Sequence, residues 1–129
     1  MTAPAVDVTR VTLTFPATVE LVRLARLVAS GLAAHAGLSV DDIEDLRIAV
    51  DELCALVVQH AVDDSNVSLV LDAGDGSVQV EVRAPAGSSE APFALDELSG
   101  HILKAAADEH HLARADGKLV ATLTKRREG

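Results

Sequence analysis

Asp45-Leu46-Arg47-Ile48-Ala49-Val50-Asp51-Glu52-Leu53-Cys54-Ala55-Leu56, followed a turn later by Gln59-His60-Ala61, is an apolar ladder with acids spaced along it. Ile43, Leu46, Val50, Leu53 and Val57 recur at steps of three and four residues, the repeat of one buried helix face. Ser39 offers an N-cap hydroxyl with Asp42 three residues on, and Asp41, Asp42, Glu44 and Asp45 load the positive end of the helix dipole. The spacing predicts a helix over about 39–61. Glu52 lies in its most apolar part, and the residue one turn later on the same face is Leu56. An acid followed at that spacing by an amide or a second acid can hold a divalent cation through oxygen donors; a leucine supplies none.

Upstream of this helix, Val11, Leu13 and Phe15 alternate with Thr12 and Thr14, the period of a half-buried strand that Pro16 stops. A first helix is predicted over about 18–35, capped by Thr18 and closed by Gly37. Leu21, Leu24, Leu27, Val28 and Leu32 are read as its apolar face, with Glu20, Arg23 and Arg26 pointing elsewhere. Downstream the period changes to two. Val67, Leu69 and Leu71, then Val78, Val80 and Val82, make a hairpin around Gly74-Asp75-Gly76. Residues 84–91, with Pro85, Gly87 and two serines, read as a loop. A third helix is expected over about 96–109, and strands at 111–114 and 119–125 join through Asp116-Gly117. The tail, Lys125-Arg126-Arg127, is expected to be solvated and frayed. The order β-α-α-β-β-α-β-β predicts an α/β fold, a two-layer α/β sandwich of three helices against about five strands, in one domain over 1–129.

The 129 residues are 49% apolar, ample for a single core, and carry a net charge of −9. That charge argues against direct binding of nucleic acid, which needs clustered Lys and Arg, and points to a basic or well-balanced protein surface as partner. Phe15 and Phe93 are the only aromatics, so stacking platforms for single strands are missing as well. One cysteine, Cys54, fits a reducing compartment and reads as a small core residue; no leader or membrane-spanning segment is evident, and the chain is expected to be soluble and cytoplasmic. The histidines show no metal-ligand spacing: His110 and His111 should point to opposite faces of a strand, and His35, His60 and His101 stand apart. Gly74-Asp75-Gly76 reads as a hairpin turn and not a phosphate loop, because no helix follows it.

The run from Asp45 to Cys54 with Gln59-His60-Ala61 resembles the signature helix of the anti-sigma factor serine kinases, the RsbW and SpoIIAB group of the GHKL (Bergerat) ATPase superfamily. Leu13-Thr14-Phe15-Pro16-Ala17 resembles the opening strand of that family, and the stretch from Ile102-Leu103 to Ala107-Asp108 its last helix. The resemblance implies the histidine-kinase-like ATPase fold, and a family whose members bind Mg-ATP, capture a sigma factor and phosphorylate a serine on a STAS-domain anti-anti-sigma protein. On these motifs Glu52 matches the general-base acid, Leu56 the metal-chelating asparagine, and Ala84 the aspartate that reads the adenine amino group. The glycines that should follow fall on Ala86 and Ser88 with Gly87 displaced, and the glycine-rich phosphate lid is reduced to Ser99-Gly100-His101. Leu56 and Ala84 lack the required polar atoms, and the thin lid lacks backbone amides for phosphates.

The chain is therefore most similar to the divergent actinobacterial, UsfX-like type, with weak or no binding of Mg-ATP expected. The resemblance further implies a sigma factor and a STAS-domain anti-anti-sigma factor as partners, a homodimer, and a contact face on the first helix that includes Arg23 and Arg26. The competing reading is an active ATP-dependent protein serine kinase with Glu52 as base. For Glu52 the plainer reading is a partly buried acid that caps a loop or pairs with Arg47 or another arginine, for Leu56 a core residue, and for Arg23 and Arg26 a solvated helix face.

Overall fold

Why the chain folds as it does is read most directly from the pairing of its strands. The computed structural model describes residues 8–88 and 91–128. In chain order the elements are β1 (Thr9–Pro16), a 3-10 turn (Val19–Leu21), α1 (Val22–His35), α2 (Val40–His60), β2 (Asn66–Gly74), β3 (Ser77–Pro85), α3 (Glu97–Ala106), β4 (Glu109–Ala115) and β5 (Lys118–Arg126). The five strands form one antiparallel sheet in the order β1-β2-β3-β5-β4. Its register aligns Leu13, Leu69, Val82 and Ala121 in one row, and Val11, Leu71, Val80 and Leu123 in the next. All of these point toward the helices, so period two in each strand becomes one continuous apolar floor.

α2 lies over that floor with Leu46, Ala49, Val50, Leu53, Cys54 and Val57 buried, and Ser39 caps it by accepting the Asp42 N–H at 3.1 Å. Gly37, at φ +83°, makes the turn between α1 and α2. Two features of α1 depart from the sequence reading. The helix proper begins at Val22 after a 3-10 turn, and Thr18 makes no side-chain cap. Its buried face is Val22, Ala25, Ala29, Leu32 and Ala33, whereas Leu24 is 36% and Leu27 66% exposed. The small side chains allow α1 to approach α2 and the sheet closely, which turns the larger leucines outward.

α3 is shorter than expected, ending at Ala106. β4 correspondingly starts earlier, at Glu109, pairing with Thr124. His110 and His111 do face opposite ways along it, as the strand period requires.

The C-terminal segment is not frayed. Lys125 is 4% exposed and lies 3.8 Å from Asp42 and 3.4 Å from Asp45, while the Glu128 N–H donates to Asp42. Arg127 donates its backbone N–H to Gly76, whose own N–H donates to Ala36. Burial alone would raise the Asp42 carboxyl, but the Glu128 N–H, Ser39 and the Lys125 charge together hold it below the usual carboxylate range. An apolar alternation that ends in three basic residues does not reveal that the first of them turns inward, under the acidic start of α2.

Among the described residues no helix is long and apolar enough to cross a membrane.

Candidate functional site

The C-terminal half of α2, the loop leaving β3 and the start of α3 meet at one end of the helical layer. Glu52, Ala55, Leu56, Gln59 and His60 from α2 face Pro92, Leu95, Asp96 and Ser99 across a cavity of about 300 Å³. A second, more open cleft of about 660 Å³ adjoins it, lined by Gln59, His60, Asp63, Ala86 and Gly87. His60 therefore borders both.

Helical spacing brings Glu52 and Leu56 to the same wall, as expected from the four-residue step. Leu56 is half-buried in this wall and not in the core. Arg47, the anticipated partner of Glu52, pairs instead with Glu44 at 2.9 Å, and Arg26 pairs with Asp51 at 3.4 Å. Glu52 itself is half-buried and makes no hydrogen bond or ion pair with any described residue.

His60 is 6% exposed. Its Nδ1 stands 3.0 Å from the Leu56 carbonyl, and its ring meets Phe93 edge-on with centroids 5.5 Å apart. A carbonyl only accepts, so Nδ1 carries the proton and donates to Leu56. The sequence reading gave His60 no role; the one signal was its place in the Gln59-His60-Ala61 run, and nothing local linked it to Phe93.

The other positions that the resemblance singled out lie as follows. Ala84 is 5% exposed on the inner face of β3, opposite Leu119. Gly87 donates its N–H to the His60 carbonyl at 2.8 Å, and a Cβ there would lie 3.1 Å from the same oxygen, so this glycine serves close approach of loop to helix. Ala86 is held in turn by the Gly117 carbonyl. Ser99, Gly100 and His101 were expected as the remnant of a lid before the last helix. They lie inside α3, where Asp96 caps the Ser99 N–H at 2.7 Å, and a Cβ at Gly100 would meet nothing within 4 Å. No lysine or arginine lines either cavity among the described residues, and no group of three His, Cys, Asp or Glu converges to hold a metal. These residues do not fit Mg-ATP: the position the resemblance gives to the metal ligand is a leucine, the one it gives to the adenine contact is an alanine, and no described lysine or arginine lines the cavities to offset phosphate charge.

Away from the clefts, Leu24, Leu27 and Arg23 are exposed on α1, Ile48 is exposed on α2, and Val19 is exposed in the 3-10 turn before α1. Arg26 sits at the edge of this surface, beside Glu44, Arg47, Ile48 and Asp51 in a groove of about 140 Å³. Arg23 is exposed and forms no ion pair with a described residue, whereas Arg26 is tied to Asp51. Leu27 was missed as a surface residue because it fits the apolar repeat read along the first helix; Ile48 lay outside the repeat read along the second and was given no place.

Comparison with known proteins matches residues 15–125 to the histidine kinase-like ATPase domain. A serine-protein kinase RsbW of Bacillus licheniformis is 32% identical over 131 aligned positions covering 85% of this chain and 81% of that protein. One of Bacillus velezensis is 53% identical over 51 residues, 40% of this chain and only 32% of its own length. An anti-sigma-F factor RsbW of Mycobacterium tuberculosis is 32% identical over 99 residues, 77% of this chain and 58% of that protein. Among solved structures, a chain carrying the RsbU and RsbW domains of a Mycobacterium tuberculosis protein superposes with a TM-score of 0.68 at 25% identity, over 92% of this chain and 32% of that one. Signature helix, sheet order and alignment agree, and the chain belongs to the histidine kinase-like ATPase domain family, in its RsbW group.

Proposed function

We propose that this chain is an anti-sigma factor: in the cytoplasm it sequesters an alternative sigma factor by covering the surface that engages core RNA polymerase, and a STAS-domain anti-anti-sigma factor releases it. The observation that carries this reading is the exposed side of the helix pair: on α1 Leu27, 66% exposed, lies one turn from Arg23, which pairs with no described residue, and on α2 Ile48, 44% exposed, lies beside Arg26. Full burial of one such aliphatic side chain contributes about 1.5–3 kcal/mol, enough for two of them to anchor an interface. Arginines beside them add directional contacts to partner carboxylates and set register. Release then runs by competition for this face and not by phosphoryl transfer, because the cleft residues do not fit Mg-ATP.

A homodimer belongs to the same proposal. The outer face of the sheet bears no helix, and its charges pair within the face: Arg10 with Asp72 at 2.8 Å, Arg83 with Glu81 at 2.9 Å, Arg126 with Glu109 at 2.7 Å. In a chain of net charge −9, a self-neutralised face is where a second copy meets least repulsion.

One observation favours the kinase alternative, namely that Glu52 faces a cavity without an intramolecular partner. Calorimetric titration with Mg-ATP, followed by incubation with the sigma and STAS proteins of the same organism, separates the two. Sigma capture without nucleotide supports the proposal. Tight Mg-ATP binding with phosphate appearing on a STAS serine establishes the kinase instead, and recovery of a STAS protein with no sigma factor points to an adaptor.

A further inference from the structure

The sheet has two edges, β1 and β4, and their sequences treat exposure differently. β4, with Glu109, His110, His111 and Arg114, carries the kind of polar and charged side chains that discourage pairing with another strand. β1 has eight residues in unbroken register with β2, no lysine, and no proline before its last position. The tight turn at Asp75-Gly76 makes Gly74 and Ser77 a bonded pair, so the even-numbered residues of β2 bond β3 and its odd-numbered ones bond β1 at Thr9, Val11, Leu13 and Phe15. The N–H and C=O groups of Arg10, Thr12 and Thr14 therefore point to the open edge, where no described strand lies. The helix side of β1 is unfinished too. Val11 and Leu13 are only half-buried, although Leu71 and Leu69, their partners on β2, are fully covered. α1 is set back over β2 and β3, and the flank it turns toward β1 is marked by His35, whose Nε2 stands 3.4 Å from the Thr9 hydroxyl. Helical spacing puts Leu24 and Val28 on that flank, the first exposed and the second half-buried. Gly31 lies between them and His35. Glycine inside a helix costs stability relative to alanine, yet a Cβ here would meet nothing within 4 Å, so no described contact within the chain explains it.

We propose that β1 pairs antiparallel with β1 of a second copy about a two-fold axis at Thr12, joining the two five-stranded sheets into one. This rests on the homodimer of the preceding reading and names its contact; it does not depend on what the dimer captures. The register is self-complementary. With Thr12 opposite Thr12, Arg10 meets Thr14 and Val11 meets Leu13, so no like charges face each other and the apolar floor continues across the axis. Charge also favours a copy of this chain. Residues 9–35 hold Arg10, Arg23 and Arg26 against one acid, Glu20, in a chain of net charge −9, and Arg10 is neutralised by Asp72 and Arg26 by Asp51. The self-paired charges of the outer sheet face then flank the joint and add no repulsion. Antiparallel copies bring the Gly31 end of one α1 toward the Leu24 end of the other, where the absent side chain leaves the leucine room. A lone strand from an unrelated protein would satisfy the edge backbone, but it would leave its own edge open and bring no helix to the α1 flank.

The test is sedimentation equilibrium on the full chain and on two charge variants, Thr12→Lys and Thr12→Glu, each checked for native circular dichroism. Thr12 is exposed, so neither change touches the core. Either variant alone sets like charges against each other across the axis and should raise the dimer dissociation constant at least about tenfold. An equimolar mixture of the two should regain the dimer, because opposite charges then meet at the same position. That rescue is specific to a two-fold register at Thr12, which a general loss of stability would not reproduce. If both folded variants dimerise as the unsubstituted chain does, or if the mixture gains nothing over either alone, the β1 contact is overturned while a homodimer through another face stands. An unsubstituted chain that stays monomeric at every concentration overturns the contact and the homodimer together, and leaves sigma capture to be judged by its own titration.

Discussion

Replacing Lys125 by methionine tests the one buried charge cluster in the molecule's described part. Lys125 has a side-chain exposure of 5%, with Asp42 at 3% and Asp45 at 42%. At 3.8 Å and an effective dielectric near 20, the Lys125–Asp42 attraction is about 4 kcal/mol, and the solvated Asp45 adds less. Methionine retains the apolar stem, so the substitution isolates the ammonium. It leaves Asp42 buried with only the Glu128 N–H, Ser39 and the start of α2 to satisfy it. Removing one partner of a buried pair costs about 3–5 kcal/mol; the long separation here places the expected loss near about 3 kcal/mol. For a chain of this length that corresponds to a fall in Tm of about 10–15 °C. Urea denaturation followed by circular dichroism measures it, and the double variant Lys125→Met with Asp42→Asn should recover most of the loss. The pH dependence has a definite sign. Asp42 titrates lower in the folded chain than when unfolded, so its contribution is complete above about pH 4 and disappears as pH falls through the folded value. Lys125→Met should move that loss to higher pH. A cost under about 1 kcal/mol, or a double variant no better than the sum of the singles, would refute the claim that Lys125 pins the C-terminal segment to α2.

Two further outcomes follow from the same geometry. Leu27→Ser combined with Arg23→Glu should weaken capture of the sigma factor by about tenfold or more in a pull-down or calorimetric titration while shifting Tm by only about 1–2 °C, because both side chains are exposed. Burial pushes the Cys54 thiol up to about 12, so at pH 8 a thiol reagent should label it only as fast as the chain opens, and labelling at the rate of a free thiol in the native protein would contradict its burial.

Much of the fold was legible because its signals are local. Two periods, 3.6 in α2 and 2 in the hairpin of β2 and β3, each match a face that is buried. Turn residues carried their own geometry, as at Gly37 and Gly76, both at positive φ. What failed depended on partners distant in sequence. On α1 Leu32 is buried and Leu21 and Val28 pack against the core as read, but Leu24 and Leu27 were misplaced because leucines outweigh alanines in any hydropathy count, yet close packing selects Ala25, Ala29 and Ala33 for the interior. Lys125 was assigned to solvent because its acids, Asp42 and Asp45, lie some eighty residues earlier.

The site shows the same division more sharply. That Leu56 and Ala84 offer no polar atom could be read from the sequence, since a missing donor needs no structure to recognise. That Glu52 stands unpaired could not, because it depends on where nearby arginines go: Arg47 to Glu44 within one turn, Arg26 across the helix pair to Asp51. Pairing of those two cations elsewhere leaves the Glu52 carboxylate on a cavity wall with no partner among the described residues. A leucine at position 56 therefore does not turn this wall into filler: the cavity beside Glu52 stays open, with Leu56 half-buried at its edge.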